Sequence, residues 1–473
     1  MHDLLIKGGR VVDPANSTDR IADIAISEGK VAEIGEDLSP SCARETLDAA
    51  GKLVVPGIID MHTHMRTQLG HPHAQRMVAR AGVCTAIDLA GPLDNILDSI
   101  PGSGAGINIG ILEAARAGHS ISCARPDAAE RRGLIEKTLE HGGMGIKLLG
   151  GHFPMDLDIC SAFVAEANSL GAWVAWHVGN TVHGSNILGM EDAAAAADGK
   201  FLHIAHVNSY CRGQVRDDVS EALEAIDILK KNPNLFSESY LSPLNGTRLT
   251  ITGEGRPSSE VTATCLKKVG CTPDREGMVR AIREGRVGVL CDSGLVGELI
   301  YGEKAFEYWE SKKTVTTGSF PVNPARSRFL VAQAKREDGS FAVDCFSTDG
   351  GTYPRNVIVE NGLLLVQFGA ITMAEFVVKS SLNAARALGL PGKGHLGIGA
   401  DGDVSVLDFE RKKAFATVAG GKVIMKDGAL LGRGTTIICD ARGEAWLKSC
   451  GIACRVKGSL DPEGIQRRFV PAC

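Results

Sequence analysis

The segment GIIDMHTHMR, residues 57–66, is an apolar run that ends in polar and charged side chains. Successive residues of a β-strand point to opposite faces, so positions two apart share a face. His62 and His64 are two apart and are therefore expected to point the same way from the end of a strand. Paired imidazoles are suitable ligands for a divalent cation. The segment thus predicts a buried strand whose carboxyl end carries a function.

The composition is that of a globular protein with a large core. The chain has 473 residues, of which 44% are apolar, and a formal net charge of −5. No basic stripe is found, which argues against nucleic acid as a partner. The N-terminus reaches charged residues and glycine too soon for a signal peptide, and no apolar run approaches the ~18 residues of a membrane span. We therefore expect a soluble, cytoplasmic protein with no membrane partner.

The cysteines do not form a recognisable framework. There are 13, an odd number, and most lie in apolar runs. This pattern is typical of free buried thiols in a reducing compartment. Cys439, Cys450, Cys454 and Cys473 cluster near the C-terminus with a spacing that matches no usual zinc knuckle. A second metal site or an interchain bridge there is the minor alternative.

The middle of the chain alternates apolar strand candidates with amphipathic helical stretches. This spacing predicts a parallel sheet with crossover helices, an α/β fold of the (β/α)8 TIM-barrel type. The strand candidates are residues 57–62, 83–90, 107–113, 144–150, 172–179, 202–208, 235–241 and 342–349. The interval 241–340 is too long for an ordinary connection and is predicted to be an insertion over the mouth of the barrel. Short alternating segments at both ends predict β structure there.

Polar side chains recur at or just after the carboxyl ends of these strands. In a TIM barrel these ends form the active face. Imidazole nitrogens and carboxylate oxygens are suitable ligands for zinc and other divalent first-row metals. One histidine in a strand is usually a satisfied core residue, but a whole ordered set indicates a metal site. The members of the set are His62, His64, Lys147, His177, His206 and Asp349.

Lys147 and His206 are the two members of this set that are not obvious ligands. An ammonium group at Lys147 would be repelled by cations, unless burial and positive neighbours lower its pKa. A neutral amine could add carbon dioxide to become a carbamate, which can bridge two metals. His203 lies three residues before His206, so the two face opposite sides of a regular strand. His206 is nearer the strand end and is the preferred ligand.

Several of these segments together resemble the amidohydrolase superfamily, in its dihydroorotase/hydantoinase-like and D-aminoacylase-like branch. The resemblance rests on VVPGIIDMHTH (54–64), GIKLLGG (145–151), AWHVGN (175–180), IAHVNS (204–209) and STDGG (347–351). It implies a composite β-sandwich domain from residues 1–56 and 394–440, a barrel over 57–393 and a C-terminal extension at 441–473. It also implies a homodimer or homotetramer.

The resemblance implies a binuclear metal centre. His62, His64 and Asp349 would hold one ion, His177 and His206 the other, and carboxylated Lys147 would bridge them. Zinc is the expected metal, with Mn²⁺, Co²⁺ and Fe²⁺ as alternatives. In the family a metal-bridging hydroxide attacks the amide carbonyl. Asp349 would take the proton of this hydroxide and deliver it to the leaving nitrogen.

The resemblance also suggests residues that contact the substrate. Arg66 completes an HxHxR motif, in which the guanidinium suits a substrate carboxylate. Asn180, Tyr240 and Arg355 are further candidate contacts. The sequence therefore predicts a hydrolase of non-peptide carbon–nitrogen bonds. Its small-molecule substrate would be a cyclic amide, a ureide or an N-acyl amino acid that carries a carboxylate.

Two other functions are alternatives to an amide hydrolase on this barrel. A mononuclear deaminase of a nitrogen heterocycle would not need Lys147 but would need a glutamate to shuttle protons, for which Glu238 is the only nearby candidate. A non-enzymatic scaffold on the same barrel is disfavoured because every ligand position is filled.

Overall fold

The computed structural model describes residues 1–65, 73–461 and 469–470. The chain begins with five strands: β1 His2–Asp13, β2 Thr18–Ser27, β3 Lys30–Gly35, β4 Ala43–Asp48 and β5 Leu53–Pro56. Strand β1 pairs antiparallel with β2 and parallel with β4 and β5. The hairpin between β2 and β3 has a two-residue loop, Glu28 and Gly29, with φ of 50° and 72°. Two positive φ values at this position match the right-handed twist of a hairpin.

Seven parallel strands follow, each connected to the next by a segment that runs back along the barrel. The strands are β6 Ile58–His64, β7 Val83–Ala90, β8 Asn108–Ala115, β9 Gly145–Leu149, β10 Trp173–His177, β11 Leu202–Ile204 and β12 Leu235–Tyr240. The helices are α1 Ala74–Arg80, α2 Leu93–Ser103, α3 Ala128–Glu140, α4 Leu157–Ser169, α5 Ile187–Ala197 and α6 Asp218–Lys231. Asp127, Asn186 and Asp217 accept backbone N–H bonds at the starts of α3, α5 and α6, which fixes where these helices begin.

The segment between β12 and the closing strand forms a small unit with its own apolar core. Its strands are β13 Asn245–Arg248, β14 Gly288–Asp292, β15 Gly297–Ile300 and β16 Thr317–Phe320, paired antiparallel in the order β13-β16-β14-β15. Its helices are α7 Glu260–Lys268, α8 Arg275–Arg283 and α9 Gly302–Ser311, whereas the following α10 Ala325–Gln333 packs on α6 and β12 of the barrel. Trp309 is buried in this core, and its indole N–H donates to the Leu249 carbonyl at 3.0 Å.

The barrel is closed by residues 345–351. Strand β17 Cys345–Ser347 pairs with β12, and β18 Gly350–Gly351 pairs with β6. The chain continues through α11 Ile358–Gln367, α12 Met373–Val377, a π-helical turn at Val378–Leu382 and α13 Asn383–Ala387. Each of the eight strand candidates overlaps an observed strand, and the predicted α/β barrel fold is confirmed.

The C-terminal strands return to the first sheet. Strands β19 Val404–Asp408, β20 Lys413–Ala419, β21 Lys422–Lys426 and β22 Ala429–Leu430 extend it, with β19 antiparallel to β5. The nine-stranded sheet has a core to which both ends of the chain contribute. Next come β23 Thr436–Cys439, α14 Glu444–Ser449 and β24 Cys454–Val456. Because β23 pairs with barrel strand β8, we propose that the small domain ends near residue 430 rather than 440.

The described cysteines are free thiols. Cys439 and Cys454 lie on the neighbouring strands β23 and β24, whereas Cys473 lies outside the described residues. Among the helices of the described ranges, none is both long enough and apolar enough to span a membrane.

Candidate metal centre and active site

A cavity of about 1580 Å³ opens at the carboxyl ends of the barrel strands. Its wall includes all six predicted ligands: His62, His64, Lys147, His177, His206 and Asp349. Residues of the insertion, among them Asn245 and Arg248, line the same cavity. The structure therefore brings together side chains that are up to 287 positions apart in the sequence (349 − 62 = 287).

His62, His64 and Asp349 form the first cluster in this cavity. The Nε2 atoms of His64 and His62 lie 2.9 Å and 3.5 Å from Oδ1 of Asp349. One ligand atom from each residue fits within 4.8 Å of the others, an arrangement that can hold a metal ion. Burial alone would raise the pKa of Asp349, but Arg355, at 2.7 Å, and His62 hold it well below its usual value. The carboxyl group is therefore ionised, as a metal ligand must be.

His177 and His206 form a second cluster beside the first. Nδ1 of His177 lies 3.0 Å from Nε2 of His206, and the His206 ring stacks on His62 with centroids 5.0 Å apart. Burial is the main cause that lowers the pKa of each of these three histidines well below 6.5. The imidazoles are therefore neutral, and their nitrogen lone pairs are free to bind a cation.

Lys147 lies on β9 between the two clusters. Its Nζ atom is buried and has no hydrogen-bond partner among the described residues. Burial lowers the pKa of this amine to about 7, although Glu238 and Asp349 oppose the shift. A buried amine without a partner is costly unless it is modified or bound. Together with the neutral imidazoles and the ionised Asp349, it fits a donor set for divalent metal ions.

Glu238 contacts two of the proposed ligands, His62 and His206, and orients them, a role that was not predicted from the sequence. Its Oε1 atom accepts hydrogen bonds from Nδ1 of His62 and from the backbone N–H of His206, both at 2.7 Å. Its Oε2 atom accepts one from the Ser347 hydroxyl. A carboxylate behind a ligand histidine fixes its tautomer and its ring orientation. The only sequence signal was an acidic residue inside the otherwise neutral strand LFSESY (235–240).

His203 lies apart from the cavity, in accord with the preference for His206. It is buried among core side chains, where its Nδ1 accepts a hydrogen bond from the Trp173 indole at 3.3 Å. The residues that line the cavity include His206 and not His203. His152, in an exposed turn, also lines the cavity, with its ring 5.3 Å from that of His177.

The structure describes three of the four candidate substrate contacts, and their surroundings differ. Arg66 lies outside the described residues. Asn180 lines the cavity, but its side chain donates to Asp192 at 2.7 Å and accepts two backbone N–H bonds, so it also stabilises its own loop. Tyr240 is buried behind the wall, where its hydroxyl bonds to Ser209 and Arg212. Arg355 lines the cavity, and its guanidinium forms an ion pair with the carboxylate of Asp349.

Comparison with known proteins agrees with this geometry. A dihydroorotase of Pelotomaculum thermopropionicum is 26% identical over 483 aligned positions, which cover 90% of this chain and 99% of that protein. A dihydroorotase of Trichlorobacter lovleyi is 55% identical over 64 residues, which are only 14% of this chain and 15% of that protein. No family model matches the chain.

Solved structures share the fold. A D-aminoacylase mutant superposes with a TM-score of 0.65 at 17% identity, covering 93% of this chain and 100% of that one. Dihydropyrimidinase from Brevibacillus agri gives 0.60 at 18% identity, covering 92% and 98%. The predicted resemblance to the dihydroorotase, hydantoinase and D-aminoacylase branch of the amidohydrolase superfamily is thus confirmed. The enzymes named here hydrolyse non-peptide carbon–nitrogen bonds, the class predicted from the sequence.

Proposed function

We propose that this protein is a metal-dependent hydrolase of a carbon–nitrogen amide bond in a small molecule. The observation that carries the proposal is the buried, unpartnered Nζ of Lys147 between two clusters of neutral histidines and an ionised aspartate. A structural ion pair would leave no orphaned amine. A site built for two cations and a modified lysine explains all of these groups together.

In this proposal His62, His64 and Asp349 hold one divalent ion, and His177 and His206 hold the other. Lys147, carboxylated on its amine, supplies the shared anionic ligand, and zinc is the expected metal. When bound, such ions supply a water of low pKa and polarise the substrate carbonyl.

The protein groups around the ions position the reactants and move the proton. The carboxylate of Asp349 takes the proton of the attacking water and passes it to the leaving nitrogen. Arg355 bonds to this carboxylate at 2.7 Å and also donates to the Asp349 carbonyl at 2.6 Å, so the carboxylate is held in one orientation. Glu238 keeps Nε2 of His62 turned toward the cavity because it occupies Nδ1.

Two substrate classes remain candidates for this site. The dihydroorotases and the dihydropyrimidinase suggest a cyclic amide or ureide, and the D-aminoacylase suggests an N-acyl amino acid. The basic residues on the cavity wall favour a substrate with a carboxylate. A cytoplasmic location and a homodimer or homotetramer belong to the same proposal, as do Arg66 and Asn180 as substrate contacts, whereas Tyr240, behind the wall, would act through Arg212.

The deaminase alternative is less well supported. It would need Glu238 as a proton shuttle, but both oxygens of this carboxylate are already engaged by His62, His206 and Ser347. It also gives no role to the buried amine of Lys147.

The test compares two buried lysines. In Lys147→Met we expect metal content to fall below one ion per chain, and hydrolysis of a panel of hydantoins, cyclic imides and N-acyl amino acids to fall about 100-fold or more. Lys379→Met is the matched control, because Lys379 is also buried but lies outside the cavity wall. It should retain metal and activity. Full metal occupancy in Lys147→Met would contradict the proposal.

A further inference from the structure

Two pairs of basic side chains line the cavity in addition to the proposed metal site. Arg116 and Arg248 form one pair, and Arg212 and Lys268 form the other. Among residues 1–65, 73–461 and 469–470, no carboxylate makes an ion pair with any of the four. Like charges repel within each pair, and Arg116 and Arg212, which are half-buried, also lose part of their hydration.

The first pair joins the barrel to the insertion. Arg116 follows β8, and its guanidinium lies over the Phe153 ring at 5.5 Å. Arg248 is the last residue of β13. Burial lowers the pKa of Arg248, and the charge of Arg116 lowers it further, while Tyr353 opposes the shift. Because the Tyr353 ring also lies 6.0 Å from the ring of His64, this pair is adjacent to the first ligand cluster.

The second pair lies where the sixth barrel strand leads into the insertion. Nη2 of Arg212 donates to Ser209 at 3.1 Å, to Tyr240 at 2.8 Å and to Asn245 at 2.9 Å. All three acceptors are neutral, so the guanidinium is held in place while its charge stays uncompensated. The amine of Lys268 donates to the Arg212 carbonyl at 2.6 Å.

Buried cations outside these two pairs are of two kinds: some contact carboxylates, whereas Lys379 and Arg328 donate to backbone carbonyls. Lys393 contacts Asp401 at 3.1 Å and Asp403, and Arg355 contacts Asp349. Among the carboxylates on the cavity wall, Glu113 accepts from the N–H of Leu93, Glu130 accepts from that of Ser122, and Asp349 contacts Arg355, so none of these three pairs with the four cations. Anionic groups of a ligand would compensate the four cations that line the cavity.

We propose that the substrate is a dicarboxylate, with one carboxylate bound by Arg116 and Arg248 and the other by Arg212 and Lys268. This inference rests on the proposed function and narrows its substrate class. It assigns the insertion a direct part in specificity, since Arg248 and Lys268 both belong to it. Guanidinium groups are suited to this task because they bind carboxylates in a bidentate manner.

The test measures binding and hydrolysis separately on the metal-loaded protein. Calorimetry compares N-acetylaspartate, N-acetylglutamate and N-acetylaminoadipate with their side-chain amides, in both configurations. A hydantoin with a carboxymethyl group is compared with its amide. At least one diacid should bind about tenfold or more tightly than its amide. In Arg248→Gln and in Lys268→Gln this ratio should fall at least about fivefold, whereas Arg256→Gln, in the same insertion but outside the cavity wall, should leave it unchanged.

The outcomes separate this inference from the proposed function. Preferential binding of diacids without hydrolysis of any amide would support the inference and refute the function. Hydrolysis of monocarboxylates with no preference for diacids would support the function and overturn the inference. A diacid preference that persists in both variants would also overturn it.

Discussion

The removal of Glu238 tests whether the carboxylate behind the histidines sets the metal affinity. Its Oε1 atom accepts hydrogen bonds from Nδ1 of His62 and from the N–H of His206, and its Oε2 atom accepts one from the Ser347 hydroxyl. Glu238→Ala would leave three buried donors without an acceptor and free the His62 ring to turn. Glu238→Gln would keep an oxygen near the two donors but would remove the negative charge.

The geometry gives a graded expectation for the two variants. Loss of a carboxylate that orients a metal-bound histidine typically costs about 10–100-fold in metal affinity, or ~1.4–2.7 kcal/mol. Because Glu238 supports a ligand of each proposed ion, we place Glu238→Ala at the upper end, at about 100-fold. We place Glu238→Gln at the lower end, at about tenfold. Ser347→Ala, which removes only the contact to Oε2, is the control and should change affinity less than about threefold.

Competition with a chromophoric chelator measures these affinities, and elemental analysis gives the metal content per chain. Thermal unfolding of the metal-free proteins separates loss of affinity from loss of fold. If metal-loaded Glu238→Ala binds its ions within twofold of the wild type, the orienting role is wrong. If Glu238→Gln and Glu238→Ala are equally impaired, the charge rather than the geometry dominates.

Two further predictions concern stability. Burial lowers the pKa of Lys379 from 10.5 to about 8, so its ammonium form costs the folded state about 3 kcal/mol below pH 8, a cost that disappears as the pH rises to 10.5. Urea unfolding should therefore find Lys379→Met more stable than the wild type by about 2 kcal/mol at pH 7, after about 1 kcal/mol for the lost bond to Val343, and toward pH 10.5 the difference should vanish and then reverse by about 1 kcal/mol; a constant difference would contradict this. Trp309→Ala should cost about 3–5 kcal/mol and expose residues 241–340 to protease, while metal content stays unchanged because every proposed ligand lies on the barrel. The exposed Leu295→Ala is its control, and loss of metal in Trp309→Ala would show that the insertion and the metal site are coupled.

Local patterns were sufficient to predict the barrel strands and the positions of the six candidate ligands. Each strand is a short apolar run between turn signals, and each ligand is a polar residue where such a run ends. Strand pairing over long distances could not be predicted in the same way. Residues 436–439 resemble the preceding β segments, yet they pair with β8 of the barrel, because their partner is selected by tertiary packing. Glu238 was visible as a residue, but its contacts to His62 and His206 depend on the closed barrel.

The backbone at two ligands explains why local rules fail at the site itself. His206 and Asp349 have φ of 34° and 50°, values that a side chain with a Cβ adopts at a cost. Each is held there by a bond from its N–H to a neighbouring strand: His206 to Glu238 of β12, and Asp349 to the His62 carbonyl of β6. The regular hydrogen-bond ladder between the strands is therefore interrupted where the side chain of the proposed ligand turns into the cavity. Since neighbouring strands supply these bonds, the ligand positions are determined by the assembled barrel rather than by the segments that carry them.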